Sequence, residues 1–94
     1  EREILARWLY NLKLLHERAG DWPAQLGVAN RLVALLPESA QDRLDRAAVY
    51  ERLECPRAAA LDIEAVLLAQ VGRPDAGALR ERLARLRARS DRLN

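Results

Sequence analysis

Leu5, Trp8, Leu9, Leu12 and Leu15 follow one another at intervals of three and four along residues 2–19. That spacing predicts an α-helix with one broad apolar face, which is expected to be its buried face. Gly20 then supplies a residue that tolerates the left-handed conformation, and Asp21 a side chain to cap the next helix. Pro23 falls in that helix's first turn, where a missing N–H costs nothing. The second apolar set is Leu26, Ala29, Leu32, Val33 and Leu36, ended by Pro37. Ser39 is placed to cap a third helix over about 41–53, carrying Leu44, Ala47, Ala48 and Tyr50. Pro56 opens a fourth over about 57–70, with Ala59, Ile63, Val66 and Leu67 inward. Gly72 and Pro74 close it, and a fifth begins near Asp75 with Leu79, Leu83, Leu86 and Leu93 as a narrow stripe. No useful length alternates with a period of two, so the predicted class is all-α.

Residues 50–66, YERLECPRAAALDIEAV, hold the one cysteine beside a proline. They align with residues 16–32, HERAGDWPAQLGVANRL, at a distance of 34. Glu17 then meets Glu51, Arg18 meets Arg52, Ala24 meets Ala58, and Gly20-Asp21-Trp22 falls on Glu54-Cys55-Pro56. A self-match at that period is the signature of a helix–turn–helix array. It puts Cys55 in a turn, where a structural role is expected rather than a reactive one.

Composition narrows the chemistry. Ninety-four residues allow one modest core. With no Phe or Met, that core is left to Leu, Ala, Val and two Trp. No apolar run is long enough to span a bilayer and no signal-peptide pattern is visible. One Cys and one His cannot make a disulfide or a zinc site of ordinary ligand number, so no metal and no cofactor is expected and a reducing cytoplasm fits. No nucleophile–base–acid set, phosphate loop or carboxylate pair stands out, so the chain is not read as an enzyme. The net charge of +2 is uneven: residues 74–94 carry six arginines against three acids, while residues 1–73 carry ten basic and eleven acidic side chains.

The 34-residue units resemble the tetratricopeptide repeat. In the second unit the match lies in Ala47, Tyr50, Ala59, Ile63 and Val66; in the first, in Leu12, the Gly20-Asp21-Trp22 turn, Leu32 and Pro37. Lys13 and Gln25 stand where the family prefers small residues. Snorkelling would serve Lys13, and Gln25 would need a hydrogen-bond partner. The resemblance implies two antiparallel helix pairs, about 6–39 and 40–73, plus a capping helix over about 75–93, together a fragment of a right-handed α-solenoid. A narrower resemblance, through REILARWLYNLKLLHERAGDW and RLDRAAVYERLECPRAAALDIE, is to the repeat tail of bacterial two-part proteins with a preceding transglutaminase-like domain.

In such repeats the first helix of each pair lines a concave groove. By repeat position the groove is expected to show Arg7, Tyr10, Leu14 and Glu17, then Gln41, Leu44, Ala48 and Glu51, with Arg7, Tyr10, Leu14, Leu44 and Ala48 as the contact surface. Tyr10, Leu14 and Leu44 would form its apolar floor, with Arg82 as a basic rim. The family's chaperone-binding members clamp a terminal carboxylate with lysine and asparagine; the matching positions here hold Tyr10 and Leu14, which speaks against that role. The function implied is protein–protein interaction, with a peptide segment or the parent chain's own preceding domain as partner. A homodimer is a further expectation, since two repeats are fewer than the three a stable array needs. The alternative is a nucleic-acid-binding helix built on the C-terminal arginines. Against it, arginine outnumbers lysine fifteen to one throughout the chain, and Leu79, Leu83 and Leu86 need a surface to cover.

Overall fold

The computed structural model describes residues 1–93 and consists there of five helices with no strand: α1 (Arg2–Ala19), α2 (Trp22–Leu35), α3 (Ala40–Arg52), α4 (Pro56–Ala69) and α5 (Ala76–Leu93). Each packs on the next in sequence, α1 on α2, α2 on α3, α3 on α4 and α4 on α5.

The turns explain the period. Gly20 has φ 69°; its N–H donates to the Glu17 carbonyl at 3.1 Å, and that of Asp21 to the His16 carbonyl at 3.0 Å. Thirty-four residues later Glu54 has φ 60°, its N–H donates to Glu51 at 3.1 Å, and that of Cys55 to Tyr50 at 2.8 Å. One backbone design is therefore used twice, once with the residue that suits a left-handed φ and once with a residue that is strained there. The caps differ in the same sense. Asp21 Oδ1 accepts from the Ala24 N–H at 3.1 Å, whereas Cys55 in the equivalent place caps nothing and its thiol reaches only the Leu53 carbonyl. Ser39 Oγ accepts from the Asp42 N–H and starts α3.

The core lies between α3, α4 and α5. Ala47, Ala59 and Ile63 have no exposed surface, and Val66, Leu79, Leu83 and Leu86 close around them. The two alanines let α3 and α4 approach, and the three leucines of α5 cover what remains. Leu93, expected in the same stripe, is exposed on the last turn of that helix. In α2, Val28, Ala29, Leu32 and Val33 are buried.

α1 departs from expectation. Of its predicted buried face, Leu5, Trp8 and Leu15 are 55, 68 and 59 % exposed, Leu9 and Leu12 are half-buried, and only Ala6 is fully buried. The rotation of the helix is the reason. Tyr10 and Lys13 are bonded to α3, which holds that side of α1 inward and turns the leucine stripe to the free edge.

Candidate partner-binding face

The first helices of the pairs, and α5 after them, are joined side by side through polar side chains. Tyr10 and Lys13, one turn apart on α1, meet Asp42 and Asp45, one turn apart on α3. The Tyr10 hydroxyl donates to Asp42 Oδ1 at 2.9 Å and Oδ2 at 3.0 Å, and Lys13 Nζ donates to Asp45 at 2.7 Å. Gln41 Nε2 supplies Asp45 with a second donor at 2.8 Å. On the far side Arg82 Nε of α5 donates to Glu51 of α3 at 2.9 Å.

Asp42 is almost fully buried, yet it sits in the first turn of α3, where the helix dipole favours an anion. Burial, then the hydrogen bond to Asp42, then the charges of Asp42 and Asp45, push the Tyr10 phenol up to about 12. The physical cause is plain: losing the phenolic proton would set a phenolate against a carboxylate.

The predicted groove residues therefore divide by role. Tyr10 and Arg82 are tied to carboxylates of the same chain, and Leu44 packs against the core of α3, α4 and α5. Arg7 and Ala48 are exposed, and Leu14 is 46 % exposed. Arg7 and Tyr10 line one depression with Arg2, Glu3, Asn11 and Leu36, of about 440 Å³. Ala48 lines a separate cleft of about 130 Å³ with Lys13, Glu17, Trp22, Asp45 and Arg52. The continuous apolar floor expected of Tyr10, Leu14 and Leu44 is replaced by a polar ladder, with Leu14 standing proud of it.

Two carboxylates, Asp42 and Asp62, were not legible as buried. Asp62 of α4 is held by Arg46 of α3 through Nε at 2.8 Å and Nη2 at 2.6 Å, while Arg46 Nη1 reaches Asn30 of α2. One arginine thus links three consecutive helices, and its guanidinium is held above its usual pKa by the Asp62 bond. Gln25 is 5 % exposed, and its Oε1 finds no partner among the described residues, so the contact that the sequence flagged stays unsatisfied. Lys13, by contrast, is resolved by pairing with Asp45 rather than by reaching solvent. The spacing that would have revealed the ladder is Tyr10–Lys13 against Asp42–Asp45, two polar pairs with the same interval of three.

Cys55 is exposed, and no cluster of His, Cys, Asp or Glu among the described residues could hold a metal. Among the described residues no helix is long and apolar enough to cross a membrane. Of the six α5 arginines that the nucleic-acid reading would use, Arg82, Arg87 and Arg89 are already paired with Glu51, Glu64 and Glu54.

Comparison with known proteins agrees with this architecture. Residues 12–84 match the tetratricopeptide repeat family. The UPF0162 protein PA3419 of Pseudomonas aeruginosa is 44 % identical over 66 residues, which are 70 % of this chain and 24 % of that protein. The chain thus spans about a quarter of the length of the curated relative it matches. No solved structure gives a significant match. Nothing in these comparisons supports the nucleic-acid reading.

Proposed function

We propose that this chain, which belongs to the tetratricopeptide repeat family, works by non-catalytic recognition of protein, as repeats of this family generally do. The contact surface in this reading is the face of α1, α3 and α5, with Leu14 as its apolar centre, Arg7 and Ala48 beside it, and Tyr10, Leu44 and Arg82 as its rigid support. The observation that carries it is the exposure of Leu14 above a ladder of internal ion pairs. The polar groups around it are already satisfied within the chain, so an apolar side chain is what the face has left to offer. Two helix pairs, about 6–39 and 40–73, would present it, with the helix over about 75–93 as their cover.

A two-part protein fits the same reading. The relative's chain is about four times the matched length, so a partner within one longer chain is a natural candidate beside a free peptide. The transglutaminase-like nature of that other part is an extension of this proposal and rests on the sequence resemblance alone.

Selection of peptides from a random displayed library on the wild-type chain tests the surface. Selected peptides should bind in the micromolar range, hold their affinity as salt is raised, and lose it on Leu14→Glu. Peptides that bind Leu14→Glu equally well would show that the surface lies elsewhere. A steep loss with salt would return the reading to a charge-driven ligand.

A further inference from the structure

The cleft that Ala48 lines, of about 130 Å³, lies between α1 and α3 beside the first turn of α2. Lys13 and Glu17 of α1, Trp22 and Gln25 of α2, and Asp45 and Arg52 of α3 shape it. The 34-residue period shows what stands in the same place one unit later. Lys13 and Gln25 fall on Ala47 and Ala59, while Asp45, Val49 and Arg52 fall on Leu79, Leu83 and Leu86. All of those equivalents belong to the hydrophobic core of α3, α4 and α5. The first pair therefore holds a polar cleft where the second holds its core.

That exchange leaves a group unsatisfied. Gln25 is almost fully buried, and its Oε1 has no partner among the described residues. A buried acceptor in that state has given up water without replacement, which destabilises the fold. The alanine of the second unit avoids the penalty. A chain that breaks its own packing rule at one place is expected to do so at a functional site.

We propose that the cleft is a subsite for a carboxamide, the side chain of an asparagine or glutamine carried by a bound segment. This rests on the reading of the α1 and α3 face as a peptide surface, and names one group that the surface selects. Leu14 and Glu17 stand one turn apart on α1, so a segment seated on Leu14 lies within reach of the cleft.

Charge and hydrogen-bonding capacity choose the group. The two cations and two anions that line the cleft cancel. Lys13 and Asp45 are paired at 2.7 Å, and the Arg52 guanidinium lies over the Trp22 ring at 4.3 Å. Among the described residues that leaves two uncommitted acceptors, Gln25 Oε1 and the Glu17 carboxylate, and the N–H edge of Arg52 as a donor. A carboxylate would serve Arg52, but it would face Glu17 and Asp45 and bring Oε1 no donor. An ammonium or guanidinium would serve both acceptors, but it would face Lys13 and Arg52. A primary amide carries two N–H donors, one acceptor oxygen and no charge, which matches what the cleft leaves open. The terminal torsion of Gln25 is broad, so its amide can turn Oε1 towards such a group at little cost. Size agrees, since about 130 Å³ is the share of roughly four water molecules in the liquid.

Titration of N-acetyl-glutamine N-methylamide into the isotope-labelled chain, read by NMR, tests this. The Gln25 side-chain and Trp22 indole N–H resonances should shift and saturate in the millimolar range, as for a ligand of this size. The glutamate and methionine counterparts should bind at least about 10-fold more weakly, because each leaves a buried polar group unpaired. Gln25→Ala should lose the Trp22 response while its thermal stability holds or rises, so the loss is not one of folding. Leu14→Glu should leave the probe's binding unchanged, which tests the subsite apart from the peptide face. Absence of a response at Gln25 and Trp22, equal binding of amide and acid, or a Trp22 response that persists in Gln25→Ala would each overturn the subsite. Peptides that depend on Leu14 but show no preference for an amide side chain would overturn it too, with the face left standing. Probe binding in the cleft without selection of any peptide would uphold the subsite and overturn the face.

Discussion

The two helix pairs have opposite strengths. The first has good turn chemistry, a glycine at the left-handed position and an aspartate that caps, yet α1 buries one residue completely. The second has a glutamate at φ 60° and a cysteine that caps nothing, yet its first helix, α3, buries three and α4 buries six. Side-chain packing against α5 holds the second turn in a conformation that its own residues disfavour. Good local signals in the first pair give well-defined ends and a buried face on α2, but they do not cover α1. The lesson is that a turn's sequence reports how a helix starts, and its neighbours decide how firmly it is held.

Deleting core from the better-packed pair should produce the largest effect. Ile63→Ala is expected to cost about 2–5 kcal/mol, as for a large aliphatic side chain with no exposed surface. Leu15→Ala on the open edge should stay within about 0.5 kcal/mol when measured at dilution. Urea denaturation of both variants checks this, and equal losses would mean that α1 is held by contacts other than those described.

Tyr10→Phe comes next. It leaves the buried Asp42 carboxylate without its hydroxyl donor and should cost about 1–3 kcal/mol. Because the folded pKa of Tyr10 is raised from 10.0 to about 12, its contribution is complete below pH 10 and is lost as pH rises through that interval. Stability against pH should therefore fall more steeply between those values in the wild type than in Tyr10→Phe.

The smallest effects concern the second turn. Cys55→Asp should restore a cap and stabilise by about 1 kcal/mol. Glu54→Gly should relieve the left-handed strain by less than about 1 kcal/mol net, since glycine is also freer when unfolded. Thermal melts are sufficient for both, and a destabilised Cys55→Asp would mean that the two turns are not equivalent.

Much of the fold was legible. Helix ends follow from Gly20, Asp21, Pro37, Ser39 and Pro56, and the order from the 34-residue self-match. The orientation of α1 was not legible, because periodicity shows that Leu5, Trp8, Leu12 and Leu15 form a stripe but not that this chain contains its cover. For the candidate face, Leu14 and Ala48 were read by repeat position as surface residues, and the structure leaves them exposed. Tyr10 and Arg82 were read as free contacts because their acceptors, Asp42 and Glu51, lie 32 and 31 residues away. A pairing at that distance depends on how two helices are rotated, which the pattern along either one does not specify.

The backbone of each helix packs only on its neighbours in sequence, and α1 and α5 reach α3 through a few polar side chains alone, which also shapes how the chain loosens. Few apolar contacts and a short polar ladder hold α1, so opening can begin there and advance one helix at a time. α1, with least to lose, should release its amide hydrogens first. α3 and α4, covered from both sides and fastened by Arg46, should keep theirs longest. A partner that lies across α1 and α3 would then do more than bind, because it would slow the opening of α1, the helix with the smallest buried face.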